Sequence, residues 1–209
     1  MTPPTIFERS PSPPIVKIPG HFGDIMSKRE TTLTLPDGFT GLERIILTAN
    51  GNLQRLISAY FNATVSVTIL NNTQLPTTAA SNNDPSTIAQ FQREVNLICN
   101  NKIVCNAKSI VRIKDQEVYN LVVKKGVGIG QIFRYLDRLP SFELHGLGRT
   151  NNNKTFWREY SLGIPGVECR LLEVLPSAMF DENWINTEPE EISWNVELQQ
   201  EDRLTWVNL

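Results

Sequence analysis

The 209 residues are 40% hydrophobic and 20% charged, with a formal net charge of −2 and a pI near 5.8. That is length enough for one domain with a sizeable core, and the charge balance argues against a nucleic-acid surface or an anionic-membrane patch. No apolar run approaches the roughly 18 residues of a spanning helix, and the first residues lack the basic-then-apolar pattern of a signal peptide.

Residues 1–41 are rich in proline, with PSPPIVKIPG at their centre, and read as an extended arm. The first helical signal is Leu42, Ile45, Ile46 and Ala49, at i, i+3, i+4, i+7. Asn50-Gly51 interrupts it, and Asn52 is placed to cap a second helix with Leu53, Leu56, Ile57 and Tyr60 on one face. Only Arg44 and Arg55 are basic here, which favours core-facing helices over a DNA-binding pair.

TVSVTIL (64–70) alternates as a strand covered on one side, and the polar stretch 71–87 reads as a mobile loop. In IAQFQREVNLI (88–98), strand periodicity puts Ala89, Phe91, Arg93, Val95 and Leu97 on one face; Gln90, Gln92, Glu94 and Asn96 form an opposite, wet face. Arg93 is thereby placed among apolar neighbours, and an arginine there needs an anionic partner. An Asn100-Asn101 turn predicts a hairpin into a strand over 102–112, with Ile103, Cys105, Ala107 and Val111 on one side and Lys108 opposite.

Residues 115–124 predict a short helix, followed by the glycine-spaced 126–130 and a helix through Ile132, Phe133 and Tyr135. A phosphate-binding reading of those glycines fails, because no Walker lysine follows and no buried parallel strand precedes them. A helical cover is the better reading. Residues 139–150 form a strand that leads into two alternating runs, 156–162 and 167–175, joined at Gly163-Ile164-Pro165-Gly166 as a hairpin. In the second run Cys169, Leu171, Glu173 and Leu175 share a face. Glu173 sits among apolar residues whichever face is inward, so it must be neutral or paired. The chain closes with an acidic tail from Asp181, in which Trp184, Trp194 and Trp206 are expected to strap the sheet.

The three cysteines, Cys99, Cys105 and Cys169, fit neither a zinc site nor a CxxC pair and read as buried free thiols in a reducing compartment. The N-x-T matches at Asn62, Asn71 and Asn153 carry no weight there. With His21 and His145 alone, a His-based triad or multi-His metal site is not expected. Arg93 and Glu173 remain, on apolar faces of separate strands. They form either a buried salt bridge or a site for a small carboxylated molecule.

These residues also carry a resemblance. A W-R pair, an apolar run and then L-x-E-x-x-L-P across the hairpin resemble chorismate lyase, and more closely the chorismate-lyase-like proteins of cyanobacteria and algal plastids. In order along the chain, Gly51-Asn52-Leu53 before an amphipathic helix, Arg93-Glu94 opening an apolar strand, Gly128-Ile129-Gly130 as a flap turn and Gly148-Arg149 before the hairpin are similar to the family's pattern. The likeness spans roughly residues 42–180. Lys108 stands where better-known lyases carry an arginine, and Ile129 replaces a leucine.

The resemblance implies an α+β fold: an antiparallel sheet of about six strands, with helices on one side enclosing a ligand cavity. The N-terminal arm (1–41) and the acidic tail (181–209) would then flank a domain over 42–180. It implies a chorismate pyruvate-lyase giving 4-hydroxybenzoate and pyruvate for quinone synthesis (of plastoquinone or ubiquinone type). The alternatives are a non-catalytic small-acid sensor of the same fold and a lyase releasing another hydroxybenzoate isomer. Arg93 would bind the ring carboxylate, Glu173 would meet the hydroxyl end and take the proton, and Lys108 would help hold the enolpyruvyl carboxylate. Leu53 and Ile129 would supply lid and backbone contacts. No cofactor, metal, nucleic acid or membrane partner is expected; with no long apolar face left uncovered the chain reads as a monomer, placed in the cytoplasm, or in the plastid stroma for a plastid-encoded chain.

Overall fold

Residues 16–17, 25–26, 31–76, 86–127, 129–150 and 153–196 are described by a computed structural model. Helices α1 (Gly41–Leu47) and α2 (Leu53–Phe61) come first after short strands β1 (Val16–Lys17), β2 (Ile25–Met26) and β3 (Thr31–Thr32). Three long strands follow, β4 (Val65–Leu75), β5 (Ala89–Cys99) and β6 (Lys102–Ile113). After α3 (Gln116–Tyr119), a π-helical turn over Asn120–Lys124 and α4 (Ile129–Tyr135), the chain returns in β7 (Ser141–Arg149), β8 (Thr155–Ile164) and β9 (Val167–Pro176).

Seven of the strands make one antiparallel sheet in the order β1-β7-β8-β9-β6-β5-β4, six of them long, and β2 pairs with β3 in a separate two-stranded sheet. The class is therefore α+β. One face carries the main core, where Leu47, Ile57, Val118, Ile132 and Phe133 from the helices meet Phe91, Val111, Cys169, Leu162 and Phe156 from the sheet. A smaller cluster, Trp157, Leu172 and Val174, lies on the other face under Trp194 and Val196 of the C-terminal segment.

The turns follow local chemistry. Asn100 and Asn101 both adopt positive φ (46° and 63°), as a tight two-residue hairpin turn requires. The second hairpin turns on Pro165 and Gly166 alone, since Ile164 already pairs with Val167; this is tighter than the four-residue turn expected. Gly166 takes φ +96°, and a Cβ there would lie 2.5 Å from the Cβ of Asp115. Asp115 caps α3 by accepting from the amides of Glu117 and Val118. Gly166→Ala should therefore strain the turn and push the cap away, lowering unfolding free energy by about 2–4 kcal/mol in urea titration.

Several sequence expectations need correction. In α1, Leu42 and Ile45 are exposed, while Glu43 is buried, completing a capping box with Thr40 and pairing with Arg149 at 2.6 Å. The buried face is thus turned to Glu43, Ile46 and Leu47, and of the four apolar positions assigned to it Ile46 and Ala49 lie inside. Asn52 precedes α2 in a left-handed conformation, but its side chain makes no capping bond. The supposedly wet face of β5 is half covered: Gln90 and Asn96 are buried, and Asn106 donates to both Glu94 and Asn96. Residues 71–75 continue β4 instead of starting the loop, whose tip at 77–85 lies outside the described residues, as do most of the arm and Trp206. Of the arm, Val16 and Lys17 pair with Leu147 and Gly146 of β7. Trp194 straps the far face as expected, but Trp184 is buried in the helix-side core.

Candidate functional site

Strand register decides which expected site residues meet. One row across the sheet runs Asn72, Arg93, Ser109, Leu171, Tyr160, Leu144; the next runs Ile69, Val95, Ala107, Glu173, Arg158, Leu147. Side chains two residues apart on a strand share a face. Arg93 and Glu173 therefore lie on the same, helix-covered face. Two strand spacings and two residues separate their Cα atoms, about 12 Å. The structure does not join them as a salt bridge.

Glu173 is held instead by its neighbours on β8. Arg158 Nε donates to Oε2 at 2.7 Å, and Tyr160 Oη donates to Oε1 at 2.9 Å. Arg158 is fully buried and also donates through Nη1 to the carbonyls of Ile46 (2.9 Å), Leu47 (3.3 Å) and Ala49 (2.6 Å). Its Nη2 has no hydrogen-bond partner among the described residues, and the guanidinium lies 4.4 Å from the Tyr160 ring centroid. Burial works against the charge of Arg158, but the Glu173 carboxylate, with Tyr160 and Cys105 beside it, raises the guanidinium above its ordinary value. Burial, then the same carboxylate, pushes the Tyr160 hydroxyl well up. It therefore stays a donor.

Arg93 is half-buried, and its buried Nε has no hydrogen-bond partner among the described residues. Burial lowers its pKa, offset in part by the nearby Cys169 thiol. An orphaned guanidinium donor costs about 1–3 kcal/mol or more, a cost that an incoming anion would relieve. The sequence asked for an anionic partner, and the fold supplies none through Nε.

Lys108 must be corrected. It stands opposite Glu94 and Leu172, on the face away from Arg93 and Glu173, so it does not join them. The reason is a bulge: between Leu97–Cys105 and Ile98–Ile103, Val104 is an extra residue, and the pairing of β6 beyond it shifts by one. Leu53 is buried at the start of α2, just after the Ala49 carbonyl that Arg158 holds. Ile129 opens α4 in the backbone trace; Gly128 lies outside the described residues.

All three cysteines are buried free thiols. Burial raises Cys99, raises Cys105 well above the thiol range with help from Glu173, and takes Cys169 up to about 12 despite Arg93. These thiols hold their protons in the native state while the unfolded chain ionises from about pH 8.5. The folded state then binds more protons than the unfolded one, so stability falls as pH rises from about 8.5 towards 12. The urea midpoint should decline steadily over pH 8.5–10.5, and a thiol reagent at pH 8 should label the protein only after unfolding.

A separate open cavity of about 750 Å³ is lined by Thr48, Asn50, Arg112, His145, Ser161 and Arg170, among others, and by neither Arg93 nor Glu173. His145 Nε2 lies 2.6 Å from Ser161 Oγ, but Glu143 is 4.0 Å from Nδ1, too far for the hydrogen bond that orients a triad. Among the described residues no group of His, Cys, Asp and Glu is placed to hold a metal ion, and no helix is long and apolar enough to cross a membrane. No protein-family model matches the chain, and no curated protein matches it in sequence.

Proposed function

We propose that the chain is a chorismate pyruvate-lyase, releasing 4-hydroxybenzoate and pyruvate and supplying the aromatic ring for a quinone. The observation that carries this is the placement of an under-bonded cation, Arg93, and a clamped carboxylate, Glu173, on one covered face, two strand spacings and two residues apart in register.

In the reaction the ring–oxygen bond to the enolpyruvyl group breaks, and the hydrogen on the hydroxyl-bearing ring carbon leaves as a proton. The ring becomes aromatic, and the released enolate takes up a proton at carbon to become pyruvate. Aromatisation provides the driving force, so the protein has to bind, orient and accept a proton. Arg93 takes the ring carboxylate in a charge-assisted pair. Glu173, already oriented by Arg158 and Tyr160, has lone pairs left to accept from the ring hydroxyl and to receive the ring proton. Leu53 and Ile129 belong to the two segments that would close over the ring, and a dry, closed chamber would hold the flat product and slow its release. Lys108 plays no part in this version.

Incubating the purified protein with chorismate and identifying the aromatic product is the test. 4-Hydroxybenzoate with equimolar pyruvate is the expected result. Another hydroxybenzoate isomer would keep the mechanism and change the ring's pose. Tight binding of 4-hydroxybenzoate without turnover would replace the enzyme by a small-acid sensor, and neither binding nor turnover would end the reading.

A further inference from the structure

We propose that Arg158 is a positioning residue that ties the Glu173 carboxylate to the loop between α1 and α2, so that the loop's closure sets the carboxylate's pose. This rests on the lyase reading for its catalytic consequence, though not for the coupling itself.

The geometry is that of one rigid group with two clients. The Nε edge of the guanidinium holds Glu173 at 2.7 Å, and Nη1 gathers the carbonyls of Ile46, Leu47 and Ala49. Those carbonyls belong to the last turn of α1 and the start of the loop, where intrahelical partners run out. A guanidinium is planar and cannot bend between its edges. A shift at Ala49 therefore turns the Nε edge, and Glu173 follows. Two residues beyond Ala49 the loop takes left-handed conformations at Gly51 (φ +69°) and Asn52 (φ 56°), which direct it into α2 at Leu53. Leu53 is the segment that would contact a ring bound between Arg93 and Glu173. Ligand contact there is transmitted through Ala49 and Arg158 to the carboxylate.

A plain buried salt bridge would need only the charge. The linkage needs the fork. A lysine keeps the positive charge but presents its donors from one point, so it can serve the carboxylate or the carbonyls, not both together.

Arg158→Lys is the test, with folding checked by near-UV circular dichroism and carboxylate binding measured by titrating 4-hydroxybenzoate. The expected variant binds 4-hydroxybenzoate within about threefold of wild type, since Arg93 is untouched, while kcat on chorismate drops about 10- to 100-fold with little change in KM, as for a misplaced catalytic group. A folded variant with unchanged kcat, or one whose loss lies wholly in KM, overturns the proposal. A second measurement does not depend on that variant folding. In Glu173→Gln, weakening one client should loosen the other, so amide hydrogen exchange across residues 48–53 should accelerate relative to wild type. Unchanged exchange there overturns the coupling. If wild type leaves chorismate intact yet the exchange coupling is present, the lyase reading falls and the linkage stands. If wild type turns over and both variant readouts are flat, the linkage falls alone.

Discussion

Arg93→Met is expected to make the protein more stable and to weaken its binding of small aromatic carboxylates. The native arginine keeps a buried Nε without a partner among the described residues, and burial depresses its pKa, so its charge is held at a cost to folding. Methionine fills similar volume with no polar atom to satisfy. The urea midpoint should rise by the equivalent of about 1 kcal/mol, while the loss of a charge-assisted pair should weaken 4-hydroxybenzoate binding about 10- to 100-fold, roughly 1.5–3 kcal/mol. A residue retained for packing would show the reverse: lower stability and unchanged binding. Glu173→Gln complements it. Glutamine keeps the shape and an acceptor but not the base, so binding should survive while chorismate turnover falls about 10²–10⁴-fold. Full turnover in both variants would remove the pair from the mechanism.

The sequence made the sheet legible because its signals were short-range. Alternation located β5, β6 and β9 to within a residue or two, and the Asn100-Asn101 turn was chemically specified. It placed Arg93 and Glu173 on apolar faces, and they share one. The partner of Glu173 was missed through the turn. Centring the hairpin on Gly163–Gly166, with 162 opposite 167, sets Phe156 against Glu173. Centring it on Pro165-Gly166 sets Arg158 there, and this is the register observed. Pro-Gly is itself a two-residue turn signal, so the buried pair was recoverable from the chain. Lys108 is a different case. From the Asn100-Asn101 turn, unbroken pairing would bring Lys108 opposite Arg93; the bulge at Val104 moves Ser109 there and sends Lys108 to the other face. Nothing in KIVCNAK announces a bulge, because it answers to packing between strands. The same limit hid the burial of Glu43, whose partner Arg149 is 106 residues away. Periodicity sees a face of a helix but not a cation arriving from across the fold.

Arg158→Met should be the most destabilising single change among these. It leaves Glu173 buried with Tyr160 as its remaining partner among the contacts described, removes the side-chain donor from the carbonyls of Leu47 and Ala49, and leaves that of Ile46 with the Ala49 amide. Breaking a buried pair from one side costs about 3–5 kcal/mol, far more than the pair contributes relative to apolar residues. The cost should also depend on pH in a way the wild type's does not. A carboxylate deprived of its cation is buried more cheaply with a proton on it, so the variant should take up a proton on folding and gain stability as pH is lowered from 7 to 5. Adding Glu173→Leu to the same chain removes the stranded charge and should recover much of the loss, leaving the carbonyls that Arg158 served as the residual deficit. If the single variant unfolds in urea at the wild-type midpoint, the clamp is not what holds α1 to the sheet. If the double variant is no better than the single, the deficit belongs to the carbonyls of the α1–α2 loop, and the principal client of Arg158 is the helix end.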